Sequence, residues 1–300
     1  MSASAAGAVR RRAILCVLAA SAAFSVVATL IKAVGSSVPA VESALCRGLV
    51  MGLIMIVLLR RPNGGRIGWR TRHPWGHALR TLCGFFGMVS AYYGYAHLPL
   101  AANTALGFAM PLVLGTLSGP LLGERVGWVR GGALLAGLAG VLMMVRPWNV
   151  GAAALPLWPV AVVLGGVVAW AGAMISIRRL GVSGESNEAI ILYYALGSVI
   201  LATFFVIPVW VTPSPLEFAG ILGAAVVSTG AQLLMTEGYR TGEATVIAPF
   251  EYGSILYTTL IGAVIWGEIP DAWSWLGMVV IIASGLYVWR KETTAGATTG

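Results

Sequence analysis

Residues 78–97 read ALRTLCGFFGMVSAYYGYAH, a run in which Arg80 is the one permanent charge and the rest is mostly Ala, Leu, Gly, Val and aromatic side chains. A helix rises about 1.5 Å per residue and the hydrocarbon core of a bilayer is about 30 Å thick, so about 20 such residues cross it. Runs of the same kind lie on both sides, at 13–34, 38–59, 100–122, 128–146, 158–178, 187–208, 215–239, 243–266 and 271–290. The expected fold class is therefore an all-α integral membrane protein with ten transmembrane helices.

Composition agrees with that reading. Over 300 residues, 58% are hydrophobic, 10% are charged and the mean hydropathy is +0.86. A soluble domain carries about a quarter charged residues. No large soluble domain fits between these runs. The cysteines, Cys16, Cys46 and Cys83, are odd in number and each lies in an apolar run, so they are expected to pack rather than to form a disulfide framework. The first run follows Arg10, Arg11 and Arg12 as in a signal peptide, but it is too long for a signal h-region and no clear cleavage site follows it, so it is read as an uncleaved helix.

The net charge of +8 is a matter of topology. With the amino terminus inside, the basic residues at 10–12, Arg60, Arg61, Arg66, Arg70, Arg72, Arg80, Arg125, Arg130, Arg178, Arg179, Arg240, Arg290 and Lys291 all fall on the cytoplasmic side. Only Lys32 and Arg146 fall at outer ends, and Arg47 lies within a span. Basic loops stay cytoplasmic. Both termini are expected in the cytoplasm, and no nucleic-acid partner is needed to explain the charge.

The chain also repeats itself. Gly94-Tyr95 recurs as Gly238-Tyr239 and Gly123-Glu124 as Gly267-Glu268; after a one-residue shift, Trp128 matches Trp273 and Gly140 matches Gly285. These matches fall at equivalent places in spans three to five and eight to ten. Five spans is an odd number, so the halves, 1–146 and 147–300, are expected to be inverted relative to each other within one bundle. Inverted repeats suit secondary transport, because exchanging the conformations of two similar halves converts an inward-open cavity into an outward-open one.

The ten spans, Arg47 in the second helix, the stretch Tyr92-Tyr93-Gly94-Tyr95-Ala96 followed by Leu98-Pro99-Leu100-Ala101-Ala102, and the repeated Gly-Glu at a helix end resemble the drug/metabolite transporter superfamily with paired EamA-type halves. The resemblance covers nearly the whole chain. It implies a ten-helix bundle that moves small metabolites, most often amino acids or related compounds outward, as bacterial amino-acid and metabolite exporters do. It also implies a central cavity lined by helices 1, 3, 4, 6, 8 and 9. Pro249 in the ninth helix departs from the first half, where the proline, Pro111, lies nearer the helix end.

Several residues stand out as candidates for that cavity. Trp170 lies mid-helix, unlike the tryptophans at segment ends, with Tyr92, Tyr95, Phe108 and Tyr252 as possible companions; together they either line a cavity with apolar faces and hydroxyl handles or pack as core. Asn103 and Gln232 need hydrogen bonds from a neighbouring helix or from substrate. Pro111 and Pro249 each remove a helical hydrogen bond, giving a kink or a free carbonyl. Ionisable groups at membrane depth are costly and often functional. Glu251 could recognise a cation, carry a proton or pair with Arg47. Arg47, about nine residues into its helix and so near the midplane, either pairs structurally with helix-end carbonyls or a carboxylate, or meets substrate. Glu42 is expected near the outer surface in contact with water, and Lys32 to snorkel there. Small residues four apart, as at Gly48 and Gly52 or Ala136 and Gly140, read as close helix packing.

Enzyme motifs are missing: no HExxH pair, no G-x-S-x-G turn and no P-loop. His73 and His77 are separated by Pro74 in a basic loop, a poor metal site. A membrane-embedded enzyme would need more deep acids, bases or ligands than Glu251 and Arg47, and a channel would show a filter sequence. The sequence reading is a monomer-compatible secondary transporter of a bacterial-type inner membrane. It uses no cofactor and no ATP, and its partners are a small-molecule substrate and the lipid bilayer. It would export amino acids, or alternatively import a vitamin or other metabolite.

Overall fold

A computed structural model describes residues 3–59, 71–110, 113, 117, 128–145, 155–241 and 253–297. Among them the secondary structure is helical: α1 (Ala3–Val34), α2 (Ala40–Leu59), α3 (Pro74–His97), α4 (Leu100–Gly107), α5 (Trp128–Val145), α6 (Leu157–Val182), α7 (Asn187–Val206), a 3-10 turn (Ile207–Val209), α8 (Pro215–Thr241), α9 (Gly253–Trp266) and α10 (Ala272–Ala297). Among the described residues five stretches are long and apolar enough to cross a membrane: Ile14–Val34, Ala40–Val57, Leu157–Gly181, Glu188–Val209 and Pro215–Met235. Shorter apolar helices cover Leu135–Met144, Gly253–Trp266 and Ala272–Tyr287. The chain is a multi-pass membrane protein.

Local chemistry sets the helix ends. Pro74 occupies the first turn of α3, where its missing N–H costs nothing, so the helix starts four residues ahead of the apolar run. Ser186 caps α7 by accepting from Ala189 N at 3.2 Å. Ser214 and Glu217 form a reciprocal box at the start of α8, with Ser214 N donating to Glu217 Oε2 at 2.7 Å and Glu217 N to Ser214 Oγ at 3.4 Å. Asp271 Oδ1 accepts from Ser274 N at 2.9 Å at the start of α10. Gly35 and Gly267 end α1 and α9 with φ of 74° and 66°, a left-handed turn that a side chain would strain. The fourth run departs from a continuous helix, since α4 closes at Gly107 and Phe108 caps it by donating to Thr104 O and Ala105 O.

Packing runs across the two halves of the sequence. The broadest contacts are α1 with α8 and α3 with α6, followed by α5 with α10 and α2 with α7. One apolar cluster joins α1, α2, α3, α7 and α8 around Val27, Ala44, Phe85, Met88 and Ala224; another joins α4, α5, α6, α9 and α10 around Leu106, Val141, Met144, Val163 and Ile281. Many contacts keep their identity when each helix is exchanged for the one five places on: α1·α8 becomes α6·α3, α2·α8 becomes α7·α3, and α1·α9 becomes α6·α4. Small residues make the close crossings. A Cβ on Gly140 of α5 would lie 2.8 Å from Gly277 O of α10, and one on Gly48 would lie 2.9 Å from Val199 Cγ2 of α7. Leu53, Val57, Ile200, Phe204, Leu256 and Leu260 face outward, as apolar side chains do in lipid. The three cysteines are free thiols.

Candidate functional site

Helix α3 is as long as the spanning helices, but the run 78–97 expected to span is not among the five stretches long and apolar enough to cross a membrane. Three of its polar residues, His77, Thr81 and Tyr92, are buried. Four of the predicted site residues meet this helix. Tyr92 is 6% exposed in the cluster with Phe85 and Met88, and Tyr95 packs at its edge. Asn103 of α4 donates from Nδ2 to Ala91 O at 3.1 Å while its Oδ1 is buried without a partner. Gly94 makes this fit possible, since a Cβ there would overlap Asn103 Oδ1 and come within 2.5 Å of Val163 Cγ2. The backbone of Trp170 on α6 lies against Gly87, where a Cβ would be 3.3 Å from Trp170 N, and its own ring is half exposed. Phe108 packs instead on the cluster of α4, α5, α6, α9 and α10, and Gln232 is partly buried on α8. Pro111, Pro249, Glu251 and Tyr252 lie outside the described residues.

Arg47 is buried, 7% exposed, and its partners are neutral. Nε donates to Ser228 Oγ of α8 at 3.1 Å, and Nη1 reaches Met88 Sδ of α3 and Tyr194 OH of α7 at 3.4 Å. The expected carboxylate or carbonyl partner is replaced by hydroxyl and sulfur acceptors. Neither Tyr194 nor Ser228 stood out in the sequence: Tyr194 is half of a Tyr-Tyr pair in an apolar run, and Ser228 is one of many small residues in α8. In the sequence Arg80 reads as a cytoplasmic charge; in the structure its guanidinium lies over the Tyr194 ring, 4.1 Å from the centroid.

Two other expectations need correction. Glu42 is 4% exposed, and its Oε1 accepts from Val211 N at 2.7 Å, because the 3-10 turn after α7 folds over the start of α2 and removes it from water. Lys32 does not reach outward. Its Nζ lies 2.8 Å from Glu268 Oε1 and donates to Leu98 O at 2.9 Å, with side chains only 12% and 23% exposed. Glu268 Oε2 accepts from Leu100 N at 3.1 Å. The repeated Gly-Glu thereby acquires a physical meaning at its second copy. Gly267 turns left-handed, Glu268 N closes on Gly262 O at 3.0 Å, and the carboxylate is returned to α1 and to the start of α4. Gly262 leaves it room, since a Cβ there would be 3.3 Å from Glu268 Oε2. One carboxylate thus ties the end of the second half to two segments of the first.

Ties at the opposite end are of another kind. Arg12 and Glu237 pair at 3.1 Å with Arg12 mostly in solvent, so this bridge contributes little. Between α6 and α7, Glu185 Oε1 accepts from Thr71 Oγ1 at 2.5 Å, and its Oε2 lies 3.5 Å from the buried His77 Nε2. The Thr71 hydroxyl bond, aided by the neighbouring imidazole, holds the Glu185 carboxyl below the usual carboxylate range.

Comparison with known proteins places this arrangement in a family. The sequence matches the EamA-like transporter family over residues 11–146 and again over 157–290. It is 30% identical to the pseudopaline exporter CntI of Pseudomonas aeruginosa over 284 residues, covering 93% of this chain and 96% of that one. It is 28% identical to a riboflavin transporter of Rhizobium johnstonii, with 76% and 74% covered, and 28% identical to an S-adenosylmethionine uptake transporter of Rickettsia prowazekii, with 76% and 76% covered. A solved crystal structure with 18% identity superposes with a TM-score of 0.63 over 93% of this chain and 96% of the other, a likeness of fold. The chain belongs to the EamA-like transporter family.

Proposed function

We propose that the protein is a secondary transporter that exports a small metabolite, an amino acid or a related compound, across the inner membrane by alternating access of two inverted halves. The observation that carries this reading is the Lys32–Glu268 tie. It is partly buried, sits at one end of the bundle and joins helices of both halves. An ion pair that joins both halves at one end is a contact that can break and re-form as that end opens. The exchange of packing partners between helices five apart supports the two-fold relation of the halves. Tyr92, Tyr95, Asn103, Phe108, Trp170 and Gln232, with Glu251 and Tyr252, are the residues proposed to meet substrate, and Pro111 and Pro249 those proposed for gating.

Relatives named as a riboflavin transporter and an S-adenosylmethionine uptake transporter favour a second reading, an importer of a vitamin or nucleoside-like metabolite. Counterflow in proteoliposomes with a panel of amino acids, riboflavin and S-adenosylmethionine separates the two. Trans-stimulated amino-acid flux supports the first reading, and flux confined to the other two compounds supports the second.

A further inference from the structure

We propose that Arg47 and Arg80, converging on Tyr194, form an oxyanion site that takes the free carboxylate of the transported molecule. This rests on the transporter reading and names a feature of its substrate. The site lies where α2, α3, α7 and α8 meet. Arg47 approaches the Tyr194 hydroxyl at 3.4 Å from one side, and Arg80 lies over the face of the same ring, 4.1 Å from its centroid. Two cations therefore share one neutral phenol.

Among the described residues nothing answers that charge. Arg47 bonds Ser228, Tyr194 and the Met88 sulfur, none of them anionic. Nε of Arg80 is buried with no partner. The tyrosine hydroxyl spends its own proton on long contacts, 3.4 Å to Gly84 O and 3.7 Å to Met88 Sδ. Among the described residues Arg47 and Arg80 are in no ion pair with a carboxylate, and the ion-paired acids, Glu185, Glu237 and Glu268, serve other partners. Buried like charges are unfavourable and persist when something compensates them. A planar carboxylate suits two guanidiniums and a phenol, because each can donate to an oxygen and the two positive charges become an asset. Gly84 reserves the space for this arrangement, since a Cβ there would collide with the Arg80 guanidinium and lie 2.9 Å from Tyr194 Cε2.

The full-length protein in detergent tests the site through its thermal unfolding midpoint, followed by tryptophan fluorescence. Sodium glutamate, sodium succinate, dimethyl succinate and inorganic phosphate are titrated at constant ionic strength. The expected result is a saturable upward shift with glutamate or succinate, none with the diester, and an apparent affinity reduced by about tenfold or more in Arg80→Gln and Tyr194→Phe. Arg47→Lys, which keeps the charge and loses the fork, serves if Arg47→Gln does not fold, and a similar loss is expected there. Equal affinity in parent and Arg80→Gln would overturn the site. So would a shift with phosphate alone, or one that appears only in nanodiscs containing phosphatidylglycerol, which would make the occupant a phosphate or a lipid headgroup. A parent blind to carboxylates that becomes responsive in Glu251→Gln would also overturn it, by showing that the chain's own acid fills the place. Counterflow on the same preparations separates this failure from a failure of the transporter reading: trans-stimulated flux that ignores the carboxylate removes the site and leaves the transporter.

Discussion

Replacing Glu268 with glutamine tests the tie between the halves. The substitution keeps an acceptor for Leu100 N and removes the charge that faces Lys32 at 2.8 Å. An exposed pair would be worth under about 1 kcal/mol, and stranding one partner of a fully buried pair costs about 3–5 kcal/mol. With side chains 12% and 23% exposed, the tie lies between these limits, at about 2 kcal/mol. That corresponds to about a 30-fold change in the population open at this end. Ala101 sits just beyond the tie on α4 and is 4% exposed. In a background lacking Cys16, Cys46 and Cys83, a thiol introduced by Ala101→Cys should react with a membrane-impermeant maleimide about 30-fold faster when Glu268→Gln is added. Lys32→Met should give a similar increase, and the double variant should add little, with a coupling energy of about 1–2 kcal/mol. Unchanged labelling in Glu268→Gln, or strict additivity in the cycle, would refute the claim that this pair holds the end closed.

Three further outcomes follow from the structure. Gly94→Ala should destabilise the detergent-solubilised protein by about 1–3 kcal/mol by driving Asn103 and Val163 apart, and a midpoint unchanged from the parent would show that α4 yields freely. Glu185 has a lowered folded pKa, so its stabilising bond to Thr71 is fully present above the ordinary carboxylate range and is lost as pH falls through the lowered value; thermal melts should show Glu185→Gln weaker than the parent at pH 7 and converging with it at low pH. Trp170→Ala should shift substrate selectivity in counterflow without loss of folding, and normal transport across a broad panel would make that ring a packing residue.

How much of this was readable in advance differs by element. The seventh and eighth runs begin at 187 and 215, where the observed helices start, whereas the third is expected at 78 and starts at Pro74, because a proline beside two histidines and arginines reads as loop although it is a good first-turn residue. The Gly267-Glu268 pair was legible as a repeat, but its role depends on Lys32 and Leu100, which are distant in sequence and meet it only through folding. Arg47 was legible as a charge at depth because any cation in an apolar run is conspicuous. Its actual partners were hidden, since serine, tyrosine and methionine are unremarkable in membrane helices and only the crossing of α2, α3, α7 and α8 selects Ser228, Tyr194 and Met88. The charge rule places Arg80 with the cytoplasmic loops, because it ignores a side chain that runs along its own helix to Gly84. Glu42 was misjudged for a related reason, because depth along a helix says nothing of a neighbouring turn that covers it.

The central claim, transport by alternating access, is tested most directly by counterflow of a labelled amino acid in proteoliposomes containing the purified chain and no nucleotide. The account predicts saturable uptake that is accelerated by unlabelled substrate on the opposite side of the membrane and reduced in Glu268→Gln. Flux that rises linearly with concentration and ignores the opposite side would contradict it.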